Sequence, residues 1–216
     1  MKILFQGDSI TDCGWGREDG TLGNGYAVMA AGRLEFEEPG KHICLNRGVS
    51  GNRIVDIYAR AKSDIWNLKP DYMSLLVGVN DVWHELEDEH NGVDAQRFDR
   101  IYRMLLDDTL ERLPALQIVL MEPYVMRGIS TVKNNWWDTF YCEVTKRSQV
   151  VRKIAEDYRL PMIPLWDLLN DACKLAPADF WLRDGVHPTE AGHALIADAW
   201  LKMYHQLTDD RKQGQL

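Results

Sequence analysis

Residues 1–14 read MKILFQGDSITDCG, and the stretch FQGDSIT, residues 5–11, decides how the rest of the chain is laid out. A short apolar run, Ile3, Leu4 and Phe5, stops at Gly7, and Gly7 is followed at once by an acid and a hydroxyl. A plain strand-to-loop turn favours glycine and small polar residues for their backbone freedom and local hydrogen bonds. The competing reading is a strand whose carboxyl end presents Ser9 as a nucleophile. The remainder of the chain separates the two.

Working outward, short apolar runs alternate with longer amphipathic stretches. Strands are expected at 3–5, 43–45, 72–77, 117–121 and in the short segment bracketed by Pro161 and Pro164. The run 72–77 is apolar almost throughout, as in a strand covered on both faces. Helices are expected at 25–36, 53–66, 94–113, 140–158, 165–174 and 188–206. The one at 94–113 is the clearest: Phe98, Ile101, Tyr102, Leu105 and Leu113 form one stripe, and Pro114 closes it. Such alternation implies an α/β fold with a parallel sheet and helices on both faces. The chain reads as one domain over 1–208, followed by a polar tail at 209–216; its length suffices for a sizeable core. Of the eight Trp, packing accounts for more than pocket lining does. The pair Trp136–Trp137 lies in a long segment, 126–139, and reads as a lid or an oligomer contact.

Ligands of open parallel sheets sit beyond the carboxyl ends of the strands. Gly7-Asp8-Ser9, Gly48-Val49-Ser50-Gly51-Asn52 and Gly78-Val79-Asn80-Asp81 fall there, and Asp184-Gly185-Val186-His187 precedes the last helix. Together they hold the parts for acyl transfer. Ser9 needs a base to take its proton. His187 supplies one, and Asp184, three residues earlier, can bond the other ring nitrogen and stabilise the imidazolium. Pro188 suits the first position of a helix, which would hold His187 at a helix entrance. The N–H groups of Ser9 and Gly51 and the side-chain amide of Asn80 form the expected oxyanion hole. Asp8 and Asp81 read as structural acids that bond loop backbone. His193 reads as packing or surface. Trp15, Arg53, Trp83, His84 and Trp181 are the candidate substrate contacts.

GDSI at 7–10, NRGVSG at 46–51, GVND at 78–81 and DGVHP at 184–188 resemble the four blocks of the SGNH or GDSL hydrolases, with Ser9, Gly51, Asn80 and His187 in order. The resemblance implies a three-layer α/β/α sandwich, flavodoxin-like, around a five-stranded parallel sheet, and serine ester hydrolysis through an acyl-enzyme with no metal or cofactor. Longer stretches, LGNGYAVMAAGRL at 22–34, KPDYMSLLVGVNDVWHEL at 69–86 and VHPTEAGH at 186–193, are similar to the acetylxylan esterase branch. That implies acetylated xylo-oligosaccharides as substrates and a cytoplasmic homo-oligomer. Ser9 is followed by Ile10 and Thr11, so the GxSxG elbow of the α/β-hydrolases is not indicated. A thioesterase or lysophospholipase, a carbohydrate O-acyltransferase and a non-catalytic carbohydrate-binding protein are the alternatives.

Composition narrows the partners. The formal net charge of −8 argues against nucleic acid, which needs a basic face, and against an anionic membrane surface. Cys13, Cys44, Cys142 and Cys173 are scattered and read as reduced thiols of a cytosolic protein. Only three apolar residues separate Lys2 from Gln6, too few for the apolar core of a secretory leader. No HExxH or CxxC is present, and no metal site is expected.

Overall fold

The computed structural model describes residues 1–16 and 20–212, with side chains as far as residue 209. Its five strands, β1 (Lys2–Gly7), β2 (Ile43–Asn46), β3 (Tyr72–Leu76), β4 (Gln117–Met121) and β5 (Met162–Ile163), form one parallel sheet in the order β2-β1-β3-β4-β5. The chain leaves β1 for β2 on one side and then crosses back to β3 on the other. The carboxyl edge between β1 and β3 is therefore the topological switch point, where open α/β sheets place their ligands.

Alternation within the strands explains the two covered faces. Ile3, Phe5, Tyr72, Leu76, Val119 and Met121 pack on one side with Tyr26, Leu34, Ile196 and Trp200. Leu4, Met73, Leu75, Ile118 and Leu120 pack on the other with Ile54, Ile57, Phe98, Tyr102 and Leu105. One side-chain period of two thus serves both layers. The first face is covered by α2 (Tyr26–Glu37), α7 (Leu165–Ala172) and α9 (Glu190–Lys212), the second by α3 (Ile54–Asp64) and α5 (Ala95–Arg112). α6 (Trp137–Tyr158) serves both: Phe140 and Val144 join the first core, Val151 and Ile154 the second. Trp200 is fully buried, stacked on Tyr204 and packed against Phe5 and Tyr72, so this indole is core.

Three short helices were not expected: α1 (Ser9–Asp12), α4 (Asn80–Leu86) and α8 (Ala178–Trp181). They are too brief for a legible 3.6-residue period. The last helix starts later than expected. Pro188 forms an antiparallel bridge with Leu182, and Thr189 takes the capping place by accepting from Gly192 N–H at 3.2 Å. The same helix runs on to Lys212, into the stretch read as tail; 213–216 lie outside the described residues. Trp137 opens α6, its ring beside Tyr141 and under the Arg127 guanidinium, and both Trp136 and Trp137 are half-buried. Among the described residues no helix is long and apolar enough to cross a membrane.

Candidate active site

Gly7 ends β1 where no side chain fits. A Cβ there would stand 2.4 Å from the Leu76 carbonyl oxygen and 2.5 Å from Thr11 Oγ1. Bringing α1 this close to β3 requires glycine. Asp8 then caps α1, its Oδ1 accepting from Ile10 N–H at 3.0 Å. Ser9 follows as the first helical residue, with an N–H that has no acceptor inside the helix. Asn46, at the end of β2, donates to the Thr11 carbonyl at 2.6 Å, and Asp12 accepts from Ser50 N–H and Oγ–H at 2.9 and 2.6 Å. The loops after β1 and β2 are thereby tied together.

Ser9 Oγ lies 2.9 Å from His187 Nε2, and His187 Nδ1 lies 2.8 Å from Asp184 Oδ2. The residues meet across 178 positions of sequence. The other Asp184 oxygen accepts from the N–H groups of Val186 and His187 at 3.0 and 2.8 Å. Burial pushes the Asp184 carboxyl up, but the bonds from His187 and Val186 outweigh it and hold it at about 2. A carboxylate can only accept, so Nδ1 carries the ring proton and Nε2 faces the Ser9 hydroxyl as acceptor. The bond to Asp184 raises the His187 imidazole above its ordinary 6.5, against the opposing effect of burial.

Gly51 has φ +80°, in a turn where Asn52 N–H donates to Val49 O at 3.1 Å. Asn80, almost fully buried at the start of α4, donates one amide N–H to Asn52 O at 3.2 Å, leaving the second for a ligand. The N–H groups of Ser9 and Gly51 have no acceptor among the described residues. The three groups follow the carboxyl ends of β1, β2 and β3.

The expected substrate contacts divide. The Trp83 ring lies 5.9 Å from the His187 ring and packs edge-on against Phe140. The His84 ring would be 3.8 Å from a Cβ at Gly51 and makes no hydrogen bond among the described residues. Trp15 departs from expectation. It is 3% exposed, its indole N–H donates to Gly48 O at 2.6 Å, and Arg47 covers its ring, so burial takes it out of any pocket wall. Arg53 is committed to Asp56 at 2.8 and 3.0 Å and to Asn91 O, which fixes the start of α3. Trp181 is half-buried in α8, edge-on to Phe180 and bonded to Ala176 O.

Asp8, Asp81 and His193 are buried and bonded to backbone N–H groups. Asp8 is 1% exposed, and burial pushes its carboxyl up to about 7 despite the Ile10 N–H and the nearby His187. Asp81, equally buried, accepts from Ile54 N–H at 3.1 Å and is also raised to about 7 by burial. His193 accepts from Tyr26 N–H on Nδ1 and places Nε2 3.4 Å from Cys13 Sγ; burial lowers it to about 4, so it is a neutral packing residue. The four cysteines are unbridged. Among the described residues no group of three or more His, Cys, Asp or Glu could hold a metal ion. Sequence reasoning missed the turn at 126–131 that packs against Asp184, because it acts through backbone groups and one threonine that no motif marks.

Residues 5–195 match the GDSL-like lipase/acylhydrolase family, to which the chain belongs. It is 34% identical over 215 residues to an acetylxylan esterase from Geobacillus stearothermophilus, covering 93% of this chain and 92% of the relative. The crystal structure of an acetylxylan esterase from the same organism superposes with a TM-score of 0.81 at 32% identity, covering 93% and 92% of the two chains. A structure described as a GDSL-like lipase, from Parabacteroides merdae, superposes with a TM-score of 0.86 at 36% identity, covering 93% and 94%.

Proposed function

We propose that the protein removes acetyl groups from hydroxyls of xylo-oligosaccharides or related carbohydrates, with Ser9 as nucleophile. Its family and its acetylxylan esterase relative make it a carboxylic ester hydrolase of the acetyl-ester kind. The observation that carries the catalytic reading is the unbroken chain Ser9–His187–Asp184, at 2.9 and 2.8 Å. Ser9 Oγ attacks the ester carbonyl as His187 Nε2 takes its proton, and Asp184 stabilises the imidazolium. The oxyanion is received by the N–H groups of Ser9 and Gly51 and the free N–H of the Asn80 amide. His187 returns the proton to the departing sugar hydroxyl. Water, deprotonated by the same ring, then releases acetate.

Trp83 and His84 border the site and support a sugar ring seated beside His187 and Gly51. The four unbridged cysteines support a reducing, cytoplasmic location. Assembly of several copies, which the resemblance implies, is read directly by light scattering of the purified protein. The experiment for function compares acyl release from p-nitrophenyl acetate, butyrate and octanoate, then acetate release from acetylated xylo-oligosaccharides. Acetate is expected to be fastest. Fastest turnover of octanoate would replace the sugar ester with a lipid or thioester, and transfer of acetyl to an added sugar in preference to water would make the protein an acyltransferase.

A further inference from the structure

The Asp184–His187 loop is gripped from outside by a turn that follows β4 and whose one charged side chain, Arg127, lies over the Trp137 ring. Met126 N–H donates to Gly185 O at 2.8 Å, Ser130 N–H to Asp184 O at 3.2 Å, and the Tyr124 hydroxyl to Val186 O at 3.1 Å. Thr131 is fully buried and closes this turn on itself. Its Oγ1 accepts from Gly128 N–H at 2.9 Å and donates to Met126 O at 2.8 Å, with Gly128 O at 3.1 Å. The two backbones touch. A Cβ on Gly128 would stand 2.2 Å from the Asp184 carbonyl carbon, and one on Gly185, at φ +100°, would stand 2.5 Å from Met126 O and 2.8 Å from Thr131 Cγ2.

We infer that Thr131 is a positioning residue: by holding the 126–131 turn against the Asp184–Gly185 peptide, it sets the hydrogen bond between Asp184 and His187. Asp184 must meet three donors on its own loop at once, and its main chain is steadied by Ser130 N–H from this turn. Without the hydroxyl, Gly128 N–H and Met126 O lose a buried partner, and the turn relaxes away from Asp184. Constellations of this kind work only within a few tenths of an ångström, so a small shift is read out at His187. The titratable groups acting on His187 are Asp184 on its own loop, Asp8 at the end of β1 and His193 on α9. A change at Thr131 alters none of them chemically. The effect on rate rests on the proposed function; the effect on His187 does not.

The test uses the full chain as wild type, Thr131→Val, Thr131→Ala and Thr131→Ser. His187 is titrated by NMR, and kcat and KM for p-nitrophenyl acetate are measured beside it. In the variants lacking the hydroxyl, the His187 midpoint is expected to fall towards that of an ordinary imidazole, with kcat down about tenfold or more and KM little changed. Thr131→Ser is expected to restore both. Ile154→Val, in the opposite core, is expected to lower Tm without moving His187. A folded Val or Ala variant whose His187 titrates as in wild type overturns the inference, as does a Ser variant as perturbed as they are. Wild-type protein inactive on every ester would defeat the proposed function instead, while the titration still decides the role of Thr131.

Discussion

His187 stands between the Asp184 carboxylate and the Ser9 hydroxyl, and in the proposed reaction it takes the proton of the second while bonded to the first. The pull of Asp184 places the ring above 6.5, and only the neutral ring can act as base. The acid limb of kcat/KM for p-nitrophenyl acetate is therefore expected to have its midpoint above pH 6.5, the value of an unperturbed histidine. Asp184→Asn is expected to move that limb downward and to cost roughly 10⁴ in kcat, by allowing the wrong tautomer. A limb that stays in place would detach Asp184 from His187. Asn80→Ala is expected to lower kcat by about 10²–10³ with a smaller change in KM, and steady-state kinetics would separate this from lost binding. At this scale the sequence was legible where chemistry demands a residue type: a hydroxyl, an imidazole, an acid three positions before it. Trp15 shows where it was not. An aromatic suits a sugar site and a packed turn equally, and only its burial and the bond to Gly48 O reveal the second use.

At the scale of elements, α1 carries Ser9, the proposed nucleophile, on one turn of helix held by a buried acid. Burial pushes the Asp8 carboxyl up to about 7 from 3.8 in the free side chain, so the folded state favours its protonated form. Its contribution to stability is full below about pH 3.8, declines as pH rises to about 7, and is constant above. His187, also raised, acts in the same direction at higher pH, whereas Asp184, lowered to about 2, contributes above 3.8 and is lost as pH falls through 2. Asp8→Asn keeps an acceptor for Ile10 N–H and removes the charge. Its Tm is expected to fall less between pH 5 and 7.5 than that of wild type, because the variant has no carboxyl to lose a proton there; parallel curves would show that Asp8 does not titrate in that range. Gly7→Ala drives a methyl against the Leu76 carbonyl and is expected to cost about 1–3 kcal/mol, measured by urea denaturation. The longer helices were legible from their stripes, and β4 from its apolar run. Pro188 misled because a proline suits a helix start, yet Thr189 offers the capping oxygen and Pro188 is drawn into a bridge with Leu182. The Trp136–Trp137 pair, read as a lid or an oligomer contact, lies half-buried at the start of α6.

For the molecule as a whole, the order β2-β1-β3-β4-β5 gathers the ends of β1, β2 and β3 at one edge, and α9 is preceded by the loop that brings His187 to the same place. One sheet shared by two cores predicts a single unfolding unit: far-UV circular dichroism and tryptophan fluorescence should give coincident urea transitions, and two separated transitions would divide the domain. Strand order itself was not legible from residue patterns, because each buried strand reads alike and only the crossings distinguish them. The resemblance carried that part, and the superposition on an acetylxylan esterase bears out the α/β/α architecture.

The most direct measurement follows the fate of the acyl group on Ser9. Wild type and Ser9→Ala are compared for p-nitrophenyl acetate hydrolysis, and acid-quenched wild type is digested and searched by mass spectrometry for acetyl on the peptide that contains residue 9. Burst release with acetyl on Ser9, and a folded Ser9→Ala that has lost nearly all turnover, is the predicted result. Turnover by Ser9→Ala at the wild-type rate would contradict the account.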